Sequence, residues 1–78
     1  MQNCFMREFR SINWYTMNGR KVVGVRLDRE EEREGLLSRL TAEGGVIVDG
    51  VAHQIDGIES FAVTPLREGM EICLRIVD

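Results

Sequence analysis

The stretch 70–77 is the most regular of the chain: Met70, Ile72, Leu74 and Ile76 alternate with Glu71, Cys73, Arg75 and Val77. A period of two puts one set on each face of a β-strand. Cys73 and Val77 add apolar surface to the second face, so this strand is expected inside a sheet rather than at its edge. Two further alternating runs are folded back by dipeptides that tolerate positive φ, the mark of a two-residue hairpin turn. In the first, strand formers over 9–17 (Phe9, Ile12, Trp14, Tyr15, Met17) lead through Asn18-Gly19 to a return strand over 21–27. There Val23, Val25 and Leu27 share one face, and Val22, Gly24 and Arg26 the other. The second hairpin runs from Val46-Ile47-Val48 through Asp49-Gly50 to Val51 and Ile55. Asp56-Gly57 reads as another turn before a partly buried strand over 58–63, which Pro65 ends because it cannot donate to a ladder.

Between the hairpins the period changes. The spacing predicts a helix over about 29–42, with Leu36, Leu37 and Leu40 as its apolar stripe. Asp28 is placed to accept hydrogen bonds from the first turn, with Glu31 completing a capping box. Glu30, Glu31 and Glu32 favour the positive end of the helix dipole, and Arg39 the other. Gly44 is the expected left-handed terminator. Gly35 is the defect, costing about 1 kcal/mol inside a helix relative to Ala; it implies a bend or a close backbone approach. No apolar side chain occurs from Arg29 to Glu34, so the first turns are expected to stand in solvent over the sheet edge.

Hairpin, helix, hairpin, short strand and final strand make an α+β domain. The expected form is one mixed sheet of four or five strands with a single helix packed across it. A β-grasp-like arrangement, with the last strand beside the first, fits this order by analogy of architecture. The runner-up is a small closed β-barrel with one helix. At 78 residues there is room for one core. Residues 1–8, which show no clear period, are expected to form a partly ordered arm, and 9–78 a single domain.

Charge is unevenly spread. Residues 1–27 carry five bases (Arg7, Arg10, Arg20, Lys21, Arg26) against Glu8, a net +4, and the remainder carries twelve acids against five arginines, a net −7. The overall −3 argues against nucleic acid as the partner, while leaving the basic first hairpin as the rival reading. Cys4 and Cys73 form neither a disulfide framework nor a zinc or redox spacing. The start of the chain lacks the apolar run of a signal peptide, and no run approaches a membrane span. A cytoplasmic protein with no membrane partner is the expectation.

The chemistry of catalysis is thinly represented. His53, the sole histidine, shares a strand face with Val51 and Ile55, which favours a partly buried imidazole with one satisfied nitrogen. A small hydrolase or metal-dependent enzyme centred on His53 would have to recruit Asp49, Asp56, Glu59 or Ser60, and their spacing matches no metal or triad motif. The glycines form no phosphate-binding loop. The expectation is therefore a non-enzyme, with no catalytic residue, no cofactor and no metal.

Trp14 and Tyr15 are strand neighbours and must point to opposite faces. The one left outside, among Arg10, Arg20 and Arg26, is the kind of aromatic that anchors a protein partner. Glu30 and Glu34, in the acidic helix start, offer a second patch. The sequence thus leads to a protein-binding or adaptor module, with self-association as one form of it. Nucleic-acid binding through the basic hairpin is the alternative.

Overall fold

The computed structural model of the chain describes residues 6–28, 30, 31, 33–65 and 67–77, with the backbone alone over 60–65. Its elements are β1 (Arg7–Phe9), β2 (Ser11–Met17), β3 (Arg20–Leu27), α1 (Leu36–Ala42), β4 (Val46–Val48), β5 (Val51–His53), β6 (Ile55–Pro65) and β7 (Met70–Ile76). Both hairpins form where the turn dipeptides lie. Asn18 and Gly19 have φ of 54° and 75°, and Asp49 and Gly50 have 51° and 85°, the pattern of a type I′ turn.

The expected single sheet is two. β2, β3, β7 and β6 make an antiparallel four-stranded sheet in that order, and β1, β4 and β5 a three-stranded one in which β1 runs parallel to β4. The chain passes from one sheet to the other at Arg10 and again at Gln54. Backbone bonds hold both corners: the Asp49 amide donates to the Phe9 carbonyl at 3.0 Å, and the Val77 amide to the Gln54 carbonyl at 2.8 Å. The sheets are not closed into a barrel. The last strand is central, as its two apolar faces suggest, but it pairs with β3 and β6 rather than with the first strand. The order of elements alone could not distinguish these pairings. Arg7 and Glu8, inside the stretch expected as an arm, pair with Val46 and Ile47; residues 1–5, Cys4 among them, lie outside the described residues.

The helix is shorter than its sequence pattern. It begins at Leu36, after Gly35 in the left-handed region (φ 78°), and no side chain caps it. Over 30–34 the chain has nothing apolar to bury, and helix without tertiary packing is marginal. The Glu31 carboxylate turns instead to the guanidinium of Arg7, with Arg39 3.7 Å away. Asp28 contributes its carbonyl, not its carboxylate, accepting from the Glu31 amide at 3.1 Å. Arg29 and Glu32 lie outside the described residues. The C-terminus follows expectation: the Gly44 amide donates to Thr41 and the Gly45 amide to Leu40, both at 3.0 Å, a Schellman motif.

Leu36 and Leu40 enter one buried cluster with Val23, Val25, Leu27, Val46, Val48, Ile55, Ile72, Leu74 and Ile76, and Leu37 packs against its margin. The residues expected beneath the helix, Val23, Val25, Ile72 and Leu74, belong to that cluster, and the helix backbone approaches that of β6. The opposite face of the large sheet is closed as well. Val22 and Cys73 are fully buried there, and Glu71 is only 6 % exposed. Glu71 lies over Gly24, where a Cβ would collide with its Oε2.

Asp56-Gly57 is not a turn. Both residues belong to β6, at an irregularity in its pairing with β7. Gly57 is there for space: a Cβ would strike the guanidinium of Arg75, which lies flat across it.

Candidate functional site

The residues expected at a binding surface are dispersed over the molecule. Trp14 is the exposed aromatic, at 44 %, and its cross-strand partner is the core residue Val23. It is therefore on the core side of the sheet but at the rim. Its ring meets the edge of His53 from β5, with centroids 5.8 Å apart and planes at 63°. Tyr15 points the other way, and its hydroxyl donates to Glu71 Oε2 at 3.1 Å. That bond to a buried carboxylate raises the pKa of Tyr15 above the ordinary phenol value, with burial adding to it. Burial, then the charges of Glu71 and Glu59, likewise pushes the Cys73 thiol up, away from thiolate chemistry.

Trp14, Tyr15, Thr16, Lys21, Val48, Asp49, Val51 and His53 border an open groove of about 460 Å³ between β2 and the β4–β5 hairpin. One wall is apolar: Val51 at the hairpin is 56 % exposed. The near end is fixed by Asp49, whose Oδ1 accepts from the Ser11 amide at 3.0 Å and Oδ2 from the Ser11 hydroxyl at 2.6 Å. Those two bonds, helped by the charge of Arg10, hold the Asp49 carboxyl below its ordinary pKa. The far end carries Lys21, beside the first turn.

The basic hairpin is largely neutralised by acids from the other half of the chain. Arg20 pairs with Asp56 at 2.6 Å and Arg26 with Glu68 at 3.6 Å. Arg75 extends the first pair into a network, donating to Asp56 at 3.1 Å and to Glu59 at 3.2 Å. Arg75 and then Arg20 hold the Asp56 carboxyl below its ordinary pKa, and Asp56 and Glu59 raise that of Arg75. The +4 and −7 halves of the chain thus interdigitate in space. Of the expected acidic patch, Glu30 borders a cleft with Arg26, Arg67 and Glu68, while Glu34 borders another beside Leu37 and Ile58. Glu30 thus shares a cleft with Arg26, and the cleft that Glu34 borders includes neither aromatic.

His53 is half-buried, and its groove neighbours are an indole and a carboxylate already engaged with Ser11. The Ser60 side chain, a conceivable nucleophile, lies outside the described residues. Among the described residues no three of His, Cys, Asp and Glu come together where they could hold a metal ion. No helix among them is long and apolar enough to cross a membrane.

Sequence reasoning singled out Trp14 but missed its setting. Val51, Asp49 and Lys21 complete the groove, and the signal that could have led there is in β2 itself. Over Ser11–Met17 the strand carries no charge and no proline. No protein-family model matches the chain, and neither does any curated protein or solved structure compared with it.

Proposed function

We propose that this chain is a non-catalytic protein-binding module that takes an extended segment of its partner along the outer edge of β2, over the Trp14–His53 groove. The observation that carries this is an uncharged seven-residue strand at a sheet edge, with a large aromatic exposed beside it. An edge strand presents unpaired N–H and C=O groups, and a bare one is readily completed by another chain. The turn decides which groups these are. Met17 and Arg20 flank the two-residue turn and bond to each other, so along the antiparallel ladder Tyr15 bonds to Val22 while Thr16 and Trp14 turn their amides and carbonyls outward. Those are the residues that border the groove. Backbone bonds would supply affinity, and the Trp14, Val51 and His53 surface would select an apolar side chain.

Selection from a library of short random peptides tests the reading. Expected are apolar-alternating peptides that protect the Trp14 and Thr16 amides from exchange and are lost on Trp14→Ala. Titration with short single- and double-stranded nucleic acids is the counter-test. Steeply salt-dependent binding that falls on Arg10→Ala or Arg20→Ala, with no peptide bound at β2, would replace this reading by the nucleic-acid one.

A further inference from the structure

The four strand edges of the two sheets are not alike. β1 and β5 are three residues long, and β1 carries Arg7 and Glu8. β6 carries Asp56 and Glu59, two irregularities of pairing and Pro65. Short length, charge, bulges and proline are the devices that keep edges from pairing with other chains. Of these β2 has only an irregularity at its start, between Ser11 and Asn13. From Asn13 to Met17 it is regular and uncharged.

The same stretch is self-complementary. We infer that its occupant is a second copy of this chain, with the two β2 strands antiparallel about a two-fold axis at Tyr15. This rests on the docking reading above and names its partner. With the axis there, Trp14 of each copy stands opposite Thr16 of the other. Both residues have outward backbone groups, so each such pair exchanges both hydrogen bonds. On one face Trp14 covers the partner's Thr16, and on the other the two Tyr15 rings are cross-strand neighbours, a favourable aromatic pair. Antiparallel pairing also sets Lys21, which is level with Thr16, beside the partner's Trp14, on the rim of the groove whose near end holds the partner's Asp49. A base thus faces a groove that carries an acid, once on each side of the axis. A parallel pairing would place like charge beside like. Two-fold symmetry closes the assembly, and the outward groups of both strands are consumed.

Sedimentation equilibrium of the full chain, from micromolar to millimolar, is the test. The expected species has twice the 8.9 kDa mass of the chain, and its single tryptophan should become less accessible to iodide as the dimer forms. Thr16→Pro removes an outward amide without touching the β2–β3 ladder. It should weaken association by about tenfold or more, the effect expected when a backbone bond is lost in each copy. Should that variant fail to fold, Thr16→Lys places a charge at the same point and should act likewise. Lys21→Glu should also weaken the dimer, and Asp49→Asn in that background should recover part of the loss. A chain that stays monomeric at millimolar concentration overturns the inference. If that monomer still binds peptides at Trp14 and Thr16, the docking reading stands without its dimer; if it binds none, both fall. A dimer indifferent to Thr16→Pro, Thr16→Lys and Trp14→Ala in folded variants uses another face and overturns the inference equally.

Discussion

The two edges of the four-stranded sheet flank the same β3–β7 centre, and they are finished in opposite ways. β6 is held down: Arg75 lies across Gly57 and binds Asp56 and Glu59, and Asp56 also takes Arg20 from the far side of the sheet. β2 has its side chains engaged, Tyr15 on Glu71 and Trp14 on His53, and its Ser11 amide held by Asp49, while the outward amides and carbonyls of Trp14 and Thr16 pair with no other strand among the described residues. Charge and irregular register close an edge, and from Asn13 to Met17 β2 has neither. In a chain with one modest core, the proposed docking rests on this difference between the edges.

The largest expected effect tests what the two edges share. Leu40 is fully buried in the cluster beneath the sheet, so Leu40→Ala should cost about 2 to 4 kcal/mol in a denaturant titration. Amide protection should fall along β2 and β6 together. A loss below about 0.5 kcal/mol would mean that the helix is not what supports the sheet, and the comparison would lose its common base.

A smaller effect concerns the clamp on β6. In the fold the Asp56 carboxyl titrates below its ordinary value because of Arg75 and Arg20. A lowered carboxyl pKa stabilises the fold above about pH 4 and ceases to do so as the pH falls through the lowered value. Asp56→Asn should therefore destabilise modestly at neutral pH, less in high salt because the site is exposed. Variant and wild type should converge in acid. A gap that is unchanged by acid and salt would show that the clamp is not electrostatic.

The smallest effect isolates the inward tether of β2. Tyr15 is the sole tyrosine, so phenolate absorbance reports its titration alone. Its pKa is raised by the bond to Glu71, so the associated stability is complete below about pH 10 and is lost as the pH rises through the raised value. Glu71→Gln should bring the midpoint down towards that of a free phenol. A midpoint that does not move would separate β2 from β7 and leave its side chains as loose as its edge.

What the sequence determined by itself is what depends on neighbours along the chain. Both hairpin turns, the Gly44 cap, the Leu36–Leu40 stripe and the central character of β7 were legible. Backbone sterics and period are properties of a few consecutive residues. Trp14 and Tyr15 were legible as a pair of opposed aromatics, but not which of them faces out. That choice belongs to Glu71 and His53, which arrive from β7 and β5. The same holds wherever the fold departs from the pattern of the sequence. One sheet became two because Phe9 and Gln54 bond across the corners to Asp49 and Val77. Asp56-Gly57 became strand because Arg75 needed the space above it. The helix lost its first turns because Arg7 claims Glu31 and the sequence over 30–34 has nothing apolar to bury. The opposed charges of the two halves became ion pairs only when folding brought Arg20 to Asp56 and Arg26 to Glu68. Such contacts join residues far apart in the chain, and only the assembled sheets decide which of them form.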